Sequence, residues 1–338
     1  MVSRRFILKR LILLLPVLIG VSTLVFSILH LAPGDPAKVV AGQRADPQQV
    51  RQVRQALGLD DPIYVQYVRF LGNILQLDLG NSYILQRGTP VSEILRKKLP
   101  VTLELALYGQ LTGILLGIPA GLISAIKQDT LTDHFTRIGA LTGISVPIYW
   151  SGPLVILVFA QWFNLLPATG RLGSAFTYSD PITGLITIDT LIRGQFDMFV
   201  SAARHLLLPS LVIGIYSMAL ISRMMRSSML EVIRQDYMRT ARAKGQGAKI
   251  TLMKHGFRNA LIPVITVIGI QFGTLLGGAV LTETVFGIPG IGSMLVDAIR
   301  VGDYPVVQGT VLVFALLFTL VNLLVDITYS ILDPRIQQ

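Results

Sequence analysis

The sequence of 338 residues contains no cysteine and few charged residues. Without cysteine the chain can form no disulfide, and it offers no thiol nucleophile, thiolate zinc site or cysteine-bound iron–sulfur cluster. Charged residues make up 14% of the chain and hydrophobic residues 52%, whereas a soluble domain is about 25% charged. So few charges cannot cover a water-exposed surface, and the composition therefore argues against a soluble globular enzyme.

Six stretches free of Asp, Glu, Lys and Arg extend over 18 to 33 residues each. A helix of about 20 apolar residues crosses a bilayer core, and about 17 are enough. The stretches predict six membrane-spanning helices, in residues 11–34, 105–126, 138–170, 205–222, 259–282 and 304–325. The first stretch exceeds the about 7–15 apolar residues of a signal peptide and is followed by no small-residue cleavage site, so we expect an uncleaved first span.

Basic residues lie beside the spans and indicate the orientation of the chain. With the N-terminus inside, the cytoplasmic segments contain 16 of the 29 Lys and Arg residues. Nine of the others lie in the loop 33–100, which is long enough to be largely exempt from the positive-inside rule. We therefore predict that both termini are cytoplasmic, and we expect this basic charge to face a lipid bilayer and no nucleic acid.

The outer segment 33–100 is expected to be helical. Asp46-Pro47 is typical of a helix start and Gly58 of a helix end, and apolar residues at helical spacing predict a second short helix from Ile63. The loop 164–204, rich in glycine and proline, is expected to be mostly irregular. The predicted regions are a first transmembrane helix (1–32), the extracytoplasmic helical segment (33–100), a five-helix core (101–332) with a cytoplasmic loop (223–258), and a cytoplasmic tail (333–338).

Two spans carry glycine at every fourth position. Small residues at this spacing let two helix backbones approach closely. We therefore predict helix-packing faces, or faces that slide during a conformational change, formed by Gly113, Gly117 and Gly121 in the second span and by Gly269, Gly273 and Gly277 in the fifth.

The spans contain almost no ionisable residues and no motif of reaction chemistry. The scarcity of acids argues against proton or sodium coupling, and the sequence lacks a GxxxxGK[ST] phosphate loop, an HExxH pair and a GxSxG elbow. We therefore predict no catalytic residue, metal site or cofactor in this chain, so that any nucleotide site belongs to another chain. Glu104 and Glu283 lie at outer span ends, where they are expected either to face a substrate or to be charges of the helix ends at the lipid interface.

The loop 223–258 is the most informative cytoplasmic stretch. It contains nine basic residues against Glu231 and Asp236, a composition that also fits a solvated loop near anionic lipid. Its order is more specific, with Asp236-Tyr237-Met238-Arg239-Thr240-Ala241-Arg242-Ala243-Lys244-Gly245 followed by His255-Gly256-Phe257-Arg258-Asn259-Ala260-Leu261-Ile262-Pro263. This order resembles the EAA-type loop of ATP-binding-cassette (ABC) importer permeases, in the form used by the dipeptide/oligopeptide branch.

The resemblance implies a coupling helix that docks into a cleft on an ATPase subunit. Arg239-Thr240-Ala241 corresponds to the EAA triplet, and Gly245 to the glycine that follows it. Arg239 replaces the usual acidic residue, so an ion pair of the usual polarity is not implied. The usual proline ending is replaced by residues 259–263, which lie at a longer distance from Gly245. The residues expected to couple to the ATPase are Asp236, Tyr237, Arg239, Thr240, Ala241, Arg242, Ala243, Lys244 and Gly245.

The residues of this segment also predict its local structure. Residues 236–244 can form about two and a half helical turns, with Asp236 as the cap and Gly245 as the stop. Tyr237, Ala241 and Lys244 then share one side of the helix, where the small Ala241 side chain could enter a cleft.

Shorter motifs extend the resemblance over essentially the whole chain. They include Pro33-Gly34-Asp35-Pro36, Leu57-Gly58-Leu59-Asp60, Thr102-Leu103-Glu104-Leu105, Leu281-Thr282-Glu283-Thr284, Asp303-Tyr304-Pro305 and Asp333-Pro334-Arg335. The family implies an all-α integral membrane protein with six transmembrane helices in the type I ABC importer permease (MetI-like) fold, located in the bacterial cytoplasmic (inner) membrane as a multi-pass protein. Its implied partners are a second permease subunit that completes a heterodimeric pore, two ATP-binding subunits that hold ATP and Mg, and an extracytoplasmic peptide-binding protein.

The branch implies an importer of dipeptides and short oligopeptides. The outer-loop sequence Asp180-Pro181-Ile182-Thr183-Gly184 looks most like that of dipeptide permeases. The same architecture carrying glutathione, a nickel chelate or haem stays open, and a self-contained secondary transporter is disfavoured because internal repeats and membrane acids are missing. For such an importer, Glu104 and Glu283 near the outer mouth are candidates to contact the substrate's amino terminus or the binding protein, and the alternative that they are charges of the helix ends at the lipid interface stays open.

Overall fold

The computed structural model describes residues 4–31, 35–42 and 45–332. This part of the chain is built from helices, and its one feature of β type is an isolated bridge between Asn81 and Pro90. The predicted tail 333–338 lies outside the described residues. The helices are α1 (Arg4–Leu31), α2 (Pro36–Ala41), α3 (Pro47–Ala56), α4 (Ile63–Leu75), α5 (Val91–Ile126), α6 (Leu131–Ser145), α7 (Ile148–Val155), α8 (Ile186–Ile192), α9 (Phe196–Ile233), α10 (Asp236–Ala243), α11 (Ala248–Ile250), α12 (Arg258–Phe286), α13 (Ile291–Val301) and α14 (Tyr304–Leu332), with π-helical segments at Ile156–Trp162 and Thr251–Phe257.

Four continuous helices among the described residues are long and apolar enough to cross a membrane. They are Val91–Ile126, Phe196–Ile233, Ala248–Phe286 and Tyr304–Thr328. The pair Leu131–Ser145 and Ile148–Trp162 adds a fifth when it is counted as one bent span, and Ile12–Ser27 in α1 is a shorter apolar helix. The all-helical membrane architecture agrees with the sequence, whereas the count of six spans stays a prediction.

The stretch 138–170 does not form the single straight span that its composition predicts. Its first part belongs to α6 and its second part to α7 and the π-helical segment, and the two axes meet at 108°. Val146 at the break has extended backbone (φ −86°, ψ 117°) and precedes Pro147. A proline sterically disfavours the α conformation of the residue before it, so the helix ends there and restarts in a new direction.

The long helices continue well beyond the charge-free stretches. Helix α5 has 36 residues and α9 has 38, which at 1.5 Å per residue is about 54 and 57 Å, against about 30 Å for a hydrocarbon core. The loop 164–204 is mostly irregular, as expected, and its second half contains α8 and the start of α9. The charged residues that bound a charge-free stretch therefore do not mark the ends of the helix.

The two short helices expected in the outer segment are confirmed as α3 and α4. The Asp46 amide donates to Gln49 Oε1 over 3.2 Å, which closes the first turn of α3. Gly58, just after α3, has φ +64° and gives the chain the left-handed turn that leads to α4.

Helices α5, α9 and α12 form the centre of the molecule. Towards the end of this centre that carries α13, buried Leu105, Val212 and Leu275 pack together. Towards the end that carries α10, a second cluster includes Met225 and Val264. A third apolar cluster joins the start of α5 to α13 and α14. This packing fixes the positions of the elements at both ends of the long helices.

Candidate functional site

Helix α10 follows α9 after a break of two residues, at the position predicted for the coupling helix. The expectation that Asp236 caps it is wrong. Gln235 occupies the N-cap with φ −70° and ψ 149°, and Asp236 is the first helical residue. A carboxylate in the first turn still complements the positive end of the helix dipole, so the acidic residue suits the position.

The two sides of α10 differ in burial. Met238 is fully buried, and its Cε lies 3.4 Å from the point where a Cβ on Gly256 would stand. Tyr237 is 41% exposed. One side of α10 is therefore fixed to the body of the protein, while Tyr237, Thr240, Ala241, Lys244 and Gly245, with Gln246 and His255, line a surface hollow of about 580 Å³.

Gly245 ends the turn that follows α10. Its φ is +80°, and no atom lies within 4 Å of the position that a Cβ would take. Glycine is needed here for its left-handed backbone and not for space, because an L side chain strains this conformation.

The glycines of α5 lie against α9. A Cβ on Gly113 would lie 2.7 Å from Ser217 Cβ, and a Cβ on Gly117 would lie 2.8 Å from the Met218 carbonyl oxygen. A Cβ on Gly121 would meet Met225 Cβ at 2.7 Å. All three distances are shorter than real Cβ contacts, so the two backbones are as close as glycine allows.

The glycines of α12 are less uniform. Gly269 packs against Val325, and a Cβ on Gly273 would lie 3.1 Å from Phe318 Cδ2, both on α14. Gly277 has no described atom within 4 Å of its Cβ position. The predicted packing face is therefore wrong at Gly277 within this chain, because α12 turns this position away from its neighbours.

Glu104 joins α5 to the outer loop before α9. Its carboxylate is 1% exposed and accepts hydrogen bonds from the Thr187 amide (2.8 Å) and hydroxyl (2.6 Å). Arg171 Nη2 lies 2.5 Å from its other oxygen. The carboxylate thus bonds α5 to α8 and to the loop that contains Arg171.

Glu283 joins three helices near the same end of the molecule. It is fully buried, Thr102 Oγ1 donates to Oε1 over 2.5 Å, and the Ser293 amide donates to Oε2 over 2.9 Å. Thr102 Oγ1 in turn accepts from the Ile291 amide at 3.0 Å. Both predicted outer-mouth carboxylates are therefore buried and bonded within the chain, and their contact with a substrate stays a prediction.

Three further buried carboxylates, those of Asp303, Asp189 and Asp133, were not identified from the sequence as site residues. Asp303 accepts hydrogen bonds from Ser82 Oγ (2.6 Å) and from the amides of Tyr83, Ile84 and Leu85 (3.0 Å each). Burial raises the pKa of Asp303, but these hydrogen bonds outweigh it, and the pKa lies below its ordinary value. The partners are about 220 positions apart, so no local pattern could have revealed the pairing.

Asp189 organises the outer loop in the same manner. It accepts from the hydroxyls of Tyr178 (2.5 Å) and Thr183 (2.6 Å) and from the amides of residues 182, 183 and 184. Burial raises its pKa, while the hydrogen bonds from Thr183, Tyr178 and the amides lower it further than burial raises it. Both aspartates hold loop backbone in place as ionised acceptors.

At the opposite end, an ion pair joins α6 to α9. Arg226 donates to Asp133 through Nε (2.8 Å) and Nη2 (2.7 Å), and Ser124 Oγ donates to Asp133 Oδ1 over 2.5 Å. Asp133 is fully buried. The described residues contain no group of three His, Asp or Glu side chains placed to hold a metal ion.

Comparison with known proteins identifies the family. Residues 117–338 match the family described as "Binding-protein-dependent transport system inner membrane component", and residues 3–106 match the N-terminal region described for such membrane components. These two matches together cover almost the whole chain.

Individual relatives agree over the full length. The chain is 45% identical to the dipeptide transport system permease protein DppB of Alkalihalophilus pseudofirmus, over 98% of this chain and 99% of that protein. It is 46% identical to the di/tripeptide transport system permease protein DppB of Pseudomonas aeruginosa, over 98% of each. It is 39% identical to the glutathione transport system permease protein GsiC of Salmonella paratyphi A, again over 98% of each. The chain therefore belongs to the family of binding-protein-dependent transport system inner membrane components.

Proposed function

We propose that this chain is a permease subunit of an ATP-driven importer that moves dipeptides and short oligopeptides across the inner membrane. The observation that carries the proposal is the identity of 45 to 46% with dipeptide and di/tripeptide permeases over nearly the full length of each chain. The chain is a multi-pass membrane component and not itself an enzyme. ATP and Mg would be held by partner ATPase subunits.

The proposed assembly pairs this chain with a second, different permease subunit. Six spans and two cytoplasmic termini would place α10 on the cytoplasmic side, where two ATP-binding subunits dock. The outer ends of α5, α9 and α12 would then face an extracytoplasmic peptide-binding protein.

Helix α10 supports a specific route for coupling. Its buried Met238 fixes it to the body of the protein, while Tyr237, Ala241 and Lys244 line the open hollow. We assign this exposed side, from Asp236 to Gly245, to the ATPase contact. Closure of the ATPases would move α10 and switch the pore between inward-facing and outward-facing states, as a two-state element biased by nucleotide.

At the outer mouth we propose that Glu104 and Glu283 act through the elements that they hold. Their acceptor oxygens are engaged by Thr187, Arg171, Thr102 and the Ser293 amide. Direct contact with the amino terminus of a peptide would require these bonds to open in another state of the transporter.

Uptake in the native host tests the function. A strain lacking this chain should lose uptake of radiolabelled alanylalanine and regain it with the wild-type gene. Unlabelled dipeptides should compete, and glutathione should not. Uptake that persists without the chain would contradict the proposal. Loss of glutathione uptake with dipeptide uptake intact would favour the alternative that the 39% identical glutathione permease suggests.

A further inference from the structure

A cavity of about 350 Å³ opens between α5, α6 and α9, towards the end of the bundle that carries α10. Three arginines line it, Arg137 from α6 and Arg223 and Arg226 from α9. Apolar side chains, including Leu141 and Ile144, line the same cavity further along α6. The site therefore combines cationic and apolar surface in one concave space.

Two of the three arginines carry uncompensated charge. Arg226 is neutralised by its two hydrogen bonds to Asp133, and Asp129 also lies near enough to act on Arg226 electrostatically. Within the described part of the chain, neither Arg137 nor Arg223 forms an ion pair. The cavity therefore presents a net positive charge that suits an anion.

The two free arginines lie at the same membrane boundary. Arg137 is the last charged residue before the stretch 138–170, and Arg223 is the first after the stretch 205–222. Residues at these positions reach the depth at which a lipid headgroup meets the acyl chains. The fold brings the two boundaries together at one cavity.

The apolar part of the cavity continues onto an exposed face of α6. Leu141, which lines the cavity, is 59% exposed, and Ile138, about one turn away on the same face of α6 and also within the charge-free stretch, is 60% exposed. A water-filled path for a charged substrate would not continue onto such a surface, whereas an acyl chain would cover it favourably. The occupant suited to both parts is an anion attached to a hydrocarbon chain.

We propose that this cavity binds the phosphate of an anionic phospholipid, such as phosphatidylglycerol or cardiolipin, from the leaflet on the α10 side. Arg137 and Arg223 hold the phosphate, and its acyl chains lie along Leu141 and Ile144. The proposed orientation of the chain makes this the inner leaflet. Binding itself does not depend on which substrate is transported.

Photo-crosslinking of the purified transporter complex tests the site. The probes are photoactivatable phosphatidylglycerol and, for comparison, phosphatidylcholine, with labelled peptides mapped by mass spectrometry. We expect phosphatidylglycerol to label residues 136–144 preferentially. Near a membrane surface, each basic residue contributes about fivefold to the binding of anionic lipid, so Arg137→Gln and Arg223→Gln should each lower labelling by about that factor. Arg258→Gln is the matched control, because it removes an exposed arginine at the start of another charge-free stretch, outside the cavity.

The other outcomes would overturn the proposal. Equal labelling by the two lipids would show that the cavity does not select an anion. If a variant with both Arg137→Gln and Arg223→Gln kept wild-type labelling, the lipid phosphate would be bound elsewhere. Absence of labelling in the assembled complex would indicate that a partner subunit covers the groove. Displacement of the lipid by alanylalanine would identify the anion as a peptide carboxylate and the cavity as part of the substrate path.

Discussion

At the scale of single residues, glycine serves two separate purposes in this chain. Gly117 and its neighbours on α5 lack a side chain because α9 occupies the space, whereas Gly245 has free space and needs glycine for a φ of +80°. Gly277 meets neither condition among the described residues, since its Cβ position is open and its backbone is helical. Substitutions at these three positions can therefore distinguish a glycine needed for helix packing from a glycine needed for its backbone conformation.

Gly117→Leu should destabilise the protein, and Gly277→Leu should not. Leucine at position 117 would overlap the Met218 carbonyl and Ile221, and overpacking of this kind costs about 1–3 kcal/mol. The measurement is the thermal unfolding midpoint of the purified complex. Equal midpoints for the two variants would mean that α5 and α9 do not pack through this face.

Asp303→Asn should lower the stability of the folded protein at neutral pH and should make that stability less sensitive to a fall in pH. The folded-state pKa of Asp303 lies below its unfolded value, which is about 3.9. Its contribution is therefore fully present above the unfolded pKa and is lost as the pH falls through the folded pKa. Limited proteolysis of the outer segment between about pH 7 and pH 3 measures this. Asp197→Asn, at an exposed carboxylate, is the control, and identical pH profiles for wild type and Asp303→Asn would contradict the argument.

At the scale of helices, short sequence motifs correctly predicted the helix starts and the turns that a few adjacent residues determine. The Asp46-Pro47 start, the stop at Gly58 and the turn at Gly245 are all present, because caps and left-handed turns depend on a few adjacent residues. The break at Pro147 was missed because the charge-free stretch gave it no boundary, although proline itself was the signal. The length of α9 was missed because its charged ends are stabilised by packing that the sequence does not display.

The turn after α10 should be sensitive at one glycine and tolerant at another. Gly245→Ala adds a Cβ to a left-handed residue, which costs about 1–2 kcal/mol, and should loosen the end of the coupling helix. Gly247→Ala, in the same loop but with φ −58° and open space, is the matched control. We expect lower substrate-stimulated ATP hydrolysis in the first variant only. An equal effect of both alanines would exclude the conformational explanation.

A negative charge introduced on the exposed side of α10 should uncouple ATP hydrolysis from peptide uptake. Ala241 lines the hollow, so Ala241→Asp would place a carboxylate in the proposed ATPase contact. We expect the chain to remain in the membrane and peptide capture by the binding protein to continue, while uptake and substrate-stimulated ATP hydrolysis of the reconstituted complex are lost. Gly245→Asp should behave in the same way. Wild-type stimulation in both variants would mean that the ATPase docks elsewhere.

At the scale of the whole molecule, the orientation can be measured directly because the chain has no cysteine of its own. Lys249→Cys and Gln52→Cys each introduce a single thiol at an exposed position. An impermeant maleimide applied to intact spheroplasts should label position 52 and spare position 249 until the membrane is permeabilised. Labelling of position 249 from outside would reverse the proposed topology.

The length of α9 has a mechanical consequence for the transporter. The helix extends from Phe196 to Ile233 without a loop, and α10 begins after a break of two residues. Its close glycine contacts hold the backbone of α9 against that of α5. If a helix of about 57 Å rocks by about 5° around its midpoint, each end moves by about 2–3 Å in opposite directions. Helix α9 would then act as a lever whose fulcrum lies inside the bilayer, so that a stroke at the cytoplasmic end arrives at the outer loop reversed in direction and undiminished in amplitude.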